Sequence, residues 1–175
     1  MDKFTRNQDN GLRELSLTAL FMALILVSTL TIRIPIPLTQ GYVHLGDAMI
    51  YLGVCFLSRR NAVIAASIGS AMADIMSGYA MWVPWTLVVK AIMAFLTATI
   101  FRIHGSGDNN NRLRDITAMT AGGLFMTFGY FIAEAIMYGN PMTALLGVPW
   151  NIGQFAIGIG VFSMIATAVK RIIVG

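Results

Sequence analysis

Six ionisable side chains interrupt stretches of this chain that are otherwise apolar: Arg33, His44, Asp47, Asp74, Lys90 and Glu134. A charged group in hydrocarbon is costly unless it is paired or hydrated, which makes each of them a functional candidate. Arg33 is expected to snorkel to an interface. Asn151 and Gln154 add neutral amides, and Tyr42, Tyr79, Trp82, Trp85, Tyr130, Tyr138 and Trp150 add flat apolar faces with polar edges. Such a set suits a neutral or weakly basic heterocycle that stacks on a ring and hydrogen-bonds to a carboxylate or amide. Asp47, Asp74 and Glu134 outweigh His44 and Lys90, so a phosphorylated or multiply anionic ligand is not expected. Catalysis is not indicated. His44 and His104 fall toward opposite faces with no serine paired to the outer one, and no GxxxxGK[ST] loop occurs. The lone Cys55 excludes an internal disulfide and a thiol-built metal cluster.

Composition indicates what must position these groups. The 175 residues are 57% hydrophobic and 11% charged, and the mean hydropathy is +0.72. That is the profile of an all-α integral membrane protein and leaves no separate soluble domain. Six transmembrane helices are expected near 14–34, 44–57, 62–78, 84–103, 113–138 and 150–173. The second and third are short against the roughly 20 helical residues that cross a bilayer core. Lys3, Arg6 and Arg13, then Arg59 and Arg60, then Arg102, Arg112 and Arg114, and finally Lys170 and Arg171 occupy the ends and alternate gaps. The positive-inside rule puts all of these in the cytoplasm, together with both termini. The net charge of +4 therefore implies inner-leaflet contact rather than nucleic-acid binding. The chain reads as one domain, with a cytoplasmic segment at 1–13, an outer loop at 35–46 and a polar cytoplasmic loop at 104–112. Pro35 and Pro37 forbid a helix in the outer loop, whose apolar character predicts that it folds back as a lid. Gly78, Pro84 and the run Gly139-Asn140-Pro141 mark further helix ends.

On this topology the costly residues all fall in the outer half. The Trp and Tyr residues join them there, whereas an aromatic belt would decorate both interfaces. The asymmetry points to an aromatic-walled, polar-floored pocket open to the outside. A buried ion-pair set among Asp74, Lys90 and Glu134 that fixes helix packing is the structural alternative, and the two readings are compatible. In the first span Ala19 and Ala23 stand four apart, a small-x-x-x-small patch for close helix approach.

The Ala19-x-x-x-Ala23 patch and the run HLGDAMIYLGVCFLSRRNAVIAASIGSAMADIMSGYAMWVPWTLVVKAIMAFL, residues 44–96, resemble the substrate-binding S component of an energy-coupling factor (ECF) vitamin transporter. Within that group the chain is most similar to the hydroxymethylpyrimidine- or pyridoxine-type branch. The resemblance implies a multi-pass protein of a prokaryotic cell membrane that captures a vitamin outside. It also implies docking on a transmembrane T component driven by two cytoplasmic ATPases, with no cofactor or metal and no catalysis by the chain itself. It puts the docking surface at Ala19 and Ala23 and the gate in the outer loop. Residue reading and resemblance together give a substrate-binding set of His44, Asp47, Asp74, Tyr79, Trp82, Trp85, Lys90, Glu134, Tyr138, Trp150, Asn151 and Gln154. A stand-alone proton-coupled carrier with an Asp74, Lys90 and Glu134 relay is the competing reading. A structural membrane protein is another.

Overall fold

Thr18, Phe21, Ile25 and Thr29 recur every three or four residues, and all four are buried. They form the inward stripe of α1 (Lys3–Thr31), while Leu15, Leu20, Leu24 and Val27 lie exposed on its other side. The computed structural model describes residues 3–36, 41–103 and 112–174, with side chains over 11–36, 41–102 and 112–168. The side chains of Lys3, Arg6, Lys170 and Arg171, His104 with most of the loop expected at 104–112, and residues 37–40 of the outer loop lie outside the described residues. After α1 come β1 (Arg33–Pro35), β2 (Tyr42–His44), α2 (Gly46–Phe56) and α3 (Arg59–Met76). A 3₁₀ turn (Ala80–Trp82) leads into α4 (Val83–Ile103), followed by α5 (Arg112–Tyr138), α6 (Pro141–Leu145) and α7 (Val148–Val174).

The helical content agrees with the sequence, and the outer loop corrects it. The chain is not purely α-helical, because β1 and β2 pair antiparallel with Arg33 opposite His44 and Pro35 opposite Tyr42. The prolines that stop the helix leave the backbone extended, and an extended apolar segment satisfies its N–H and C=O groups by pairing with itself. Short α6 occupies a stretch expected to be a loop. Asn140 caps it by accepting from the Met142 N–H at 2.9 Å, and Pro141 stands in its first turn. Gly78 and Gly139, just past α3 and α5, take φ of +80° and +62°, so only glycine closes these helices without strain.

The helices α1, α3, α4, α5, α7 and α2 pack in that order into a closed ring, and α2 also touches α3 and α4. Close approach depends on glycine. A Cβ on Gly69 would lie 2.9 Å from the Met22 carbonyl oxygen of α1, and one on Gly122 would lie 3.0 Å from that of Met93 in α4. Ala19 and Ala23, by contrast, are exposed and take no part in packing within the bundle. Four stretches are long and apolar enough to cross a membrane: Gly11–Thr31, Ala80–Arg102, Arg112–Tyr138 and Pro141–Ala168. Helix α2 has only 11 residues, and α3 has 18 with two arginines in its first turn.

The two ends of the bundle differ chemically. Where α2 stops, Arg102 donates to the carbonyls of Val54, Leu57 and Ala98. At that same end Arg59 faces the Phe95 ring at 5.3 Å and Arg114 faces the Phe101 ring at 5.0 Å. Where α2 starts, Asp47 forms an ion pair with Lys90 of α4, and both side chains are fully buried. The ammonium also lies 3.0 Å from Met126 Sδ and 5.6 Å from the centre of the Tyr130 ring. The second Asp47 oxygen accepts from Gln154 Nε2 of α7 at 2.8 Å. Three helices are thus joined through one carboxylate, and removing either partner strands the other charge. Lys90→Met is therefore expected to cost about 3–5 kcal/mol, read as a lowered unfolding midpoint in detergent. The double variant Asp47→Leu with Lys90→Met is expected to recover most of that loss, and a single variant as stable as the parent would remove the pair from this role.

Candidate functional site

A cavity opens directly above this pair, between the β1–β2 hairpin and the ends of α3, α4, α5 and α7. Counted out to its open mouth, solvent included, it spans about 370 Å³ of empty space. Helical spacing explains how its walls arise. Trp82 and Thr86 lie four apart with Lys90 one turn below, Tyr130 and Glu134 lie four apart on α5, and Asn151 and Gln154 lie three apart on α7. Each pair exposes one helical face to the same space. Ile36, Gly41, Tyr42 and His44 of the hairpin cover it from above.

Hydrogen bonds hold that cover in register. Gln154 turns its amide so that Oε1 accepts from the His44 backbone N–H at 3.0 Å while Nε2 donates to Asp47. His44 Nδ1 accepts from the Gly46 N–H at 3.0 Å, with Thr29 Oγ1 3.4 Å away. A neutral imidazole whose Nδ1 accepts from a backbone donor carries its proton on Nε2. Tyr42 donates to Asp74 Oδ1 at 2.6 Å and packs against the Tyr79 ring at 4.7 Å. Burial and then the adjacent Asp74 carboxylate raise the Tyr42 hydroxyl above its usual range, so it remains a donor. On the far wall Trp82 meets Tyr130 edge to face at 6.0 Å, and Tyr130 donates to Thr86 Oγ1 at 3.3 Å.

Of the twelve residues expected at a site from sequence, His44, Asp74, Trp82, Glu134, Asn151 and Gln154 line the cavity. Asp47 and Lys90 form the layer beneath it, paired with each other rather than with Asp74 or Glu134. Tyr79, Trp85 and Tyr138 are half-buried against the apolar cluster at its side, and Trp150 is 40% exposed. Arg33 is exposed on β1 with its guanidinium 6.0 Å from the Tyr42 ring. Ile36, Gly41, Tyr42, Thr86 and Tyr130 also line the cavity and were not among those twelve. Thr86 could have been found from its place midway between Trp82 and Lys90, one turn from each.

Glu134 and Asp74 each keep one buried oxygen, Oε2 and Oδ2, without a hydrogen-bond partner among the described residues, and of the two only Asp74 has its other oxygen bonded, to Tyr42. A Cβ at Gly147, between α6 and α7, would collide with the Glu134 carboxylate, so glycine there leaves the space that seats it. Among the described residues no group of three or more His, Cys, Asp or Glu side chains could hold a metal ion. The arrangement offers ring faces for stacking and polar groups for hydrogen bonding to a small ring.

Known proteins were compared with the chain. The family model for the ECF-type riboflavin transporter, S component, matches residues 10–171. A Pyrococcus woesei protein described as an uncharacterized protein in the gap 3' region is 34% identical over 113 residues, 65% of this chain and 72% of the other. The thiamine precursor transporter HmpT of Lactococcus lactis subsp. cremoris is 24% identical over 164 residues, 93% of this chain and 91% of that one. These likenesses agree with the resemblance read from the sequence and with its branch. With the family model spanning nearly the whole length, the chain belongs to the ECF-type riboflavin transporter S-component family, whose members are transporter subunits and not enzymes.

Proposed function

We propose that the protein is the substrate-capture subunit of an ATP-driven ECF-type uptake transporter in a prokaryotic plasma membrane. The six helices of the ring, short α2 included, cross the membrane, with both termini and the arginine-rich end in the cytoplasm, so that the hairpin and cavity face outward. The ligand is a small heterocyclic vitamin or precursor, with hydroxymethylpyrimidine or pyridoxine favoured, and it enters beneath the hairpin. The observation that carries this reading is the cavity itself, because an aromatic-walled space with buried polar groups is expensive unless something fills it. The name of the Lactococcus relative favours the pyrimidine.

Docking on a T component, with its two cytoplasmic ATPases, is assigned to the outer face of α1. Ala19 and Ala23 are exposed there between Leu15, Leu20, Leu24 and Val27. Small residues on such a face let another helix come close. No residue of α1 is among the cavity's lining residues, so capture and docking are separable.

Two outcomes are expected. Ala19→Trp or Ala23→Trp leaves vitamin affinity within about twofold in isothermal titration, a change under 0.5 kcal/mol, while co-purification of the T component is lost. Retained docking would reject that face. In reconstituted vesicles the vitamin is taken up only when T component and ATPases are present with ATP. Uptake by this chain alone under a pH gradient would overturn the proposal in favour of a proton-coupled carrier.

A further inference from the structure

Charge within the cavity is unbalanced in a way that bears on the ligand. No lysine or arginine is among its lining residues. Lys90 is fully buried below and engaged by Asp47, so it offers nothing to a bound molecule. Asp74 Oδ2 and Glu134 Oε2 are both buried without a partner among the described residues, but Asp74 also accepts from Tyr42 through Oδ1, whereas neither Glu134 oxygen has a partner among them. A buried carboxyl oxygen in that condition lacks a donor, and a ligand entering the open cavity can bring one in place of water. His44 Nε2–H and the Asn151 amide offer donors of their own, so the same ligand must also carry an acceptor.

The geometry points to Glu134 as the residue that selects the cargo, by pairing with a ring that carries an exocyclic amine beside a ring nitrogen, as in an aminopyrimidine. This rests on the capture reading above and sharpens it. The amine N–H donates to one carboxyl oxygen, and the ring nitrogen shares a proton with the other. The pair forms whether that proton starts on the carboxyl group or on the ring, so the arrangement tolerates both states. A flavin presents a carbonyl, an N–H and a second carbonyl along its pyrimidine edge, and those acceptors would face the carboxylate with like polarity. Anionic ligands meet the same obstacle with no cation in the wall to offset it. Gly147 is part of the device, since a methyl group there would push the carboxylate from its seat.

The test uses the full-length protein in detergent and isothermal titration with two probes of nearly equal shape, 4-amino-5-hydroxymethyl-2-methylpyrimidine and its 4-methyl counterpart, which lacks the donor. The parent is expected to favour the amine by about tenfold to a hundredfold, the value of one buried polar partner. Glu134→Gln should keep that preference, because an amide can still accept from the amine and donate to the ring nitrogen. Glu134→Leu should abolish it without lowering the unfolding midpoint, since it removes a buried group that has no partner. Gly147→Ala should abolish it with the carboxylate still in the chain. Equal affinity of the parent for both probes, or a preference that survives in Glu134→Leu, would overturn the assignment and leave the capture proposal standing. Failure of the parent to bind either probe or pyridoxine would bring down the capture proposal and the assignment with it.

Discussion

The ion pair between Lys90 and Asp47 sets the geometry of everything above it. Both charges are withdrawn from solvent completely, a condition that persists only with full pairing and further hydrogen bonds. Gln154 supplies the next link, donating to Asp47 and accepting from the His44 backbone. The hairpin is therefore attached to the deepest polar point of the bundle through a single amide. The cavity lies where that chain of contacts leaves space between hairpin and helices, with its floor rigid and its cover joined to the floor.

Segregation of chemistry along the bundle follows from the solvent. Arginines cap the end of α2 and lie over Phe95 and Phe101 at one end, while Asp47, Asp74, Glu134, the Asn151 and Gln154 amides and most of the Tyr and Trp rings gather at the other. The middle is closed by small residues and methionine, as in Ala94, Ala98, Met93 and Met119, all essentially without exposure. In such a body a polar cavity can persist only near one end, where its residues reach either each other or water. Glu134, with one buried oxygen unpartnered and no hydrogen bond to the other among the described residues, is the group there most open to a ligand's donor.

Much of this was legible before any coordinates. The helical repeat and the two prolines marked the helices and the outer loop, and the cost of charge in an apolar segment singled out His44, Asp74 and Glu134, all of which line the cavity. The loop's fold was not legible, because pairing of β1 with β2 is a contact between segments whose alternation is too short to announce a strand. Nor was Thr86, a residue with no cost of its own inside a helix. Trp85 and Trp150 show the converse: aromatic type and outer position qualified them, yet the rotation of α4 and α7 turns them away from the cavity lining.

Sequence by itself determined which residues must be kept from lipid, where the helices end and which family the chain resembles, because these depend on residue type and local spacing. Only the tertiary structure decided who partners whom. Lys90 takes Asp47, 43 residues away, and leaves Glu134 open, and Gln154 reaches Asp47 across 107 residues. Those choices depend on how helices are rotated and how closely glycines such as Gly69 and Gly122 let them approach. Such distances are set by the packed bundle as a whole, and no local stretch of chain encodes them.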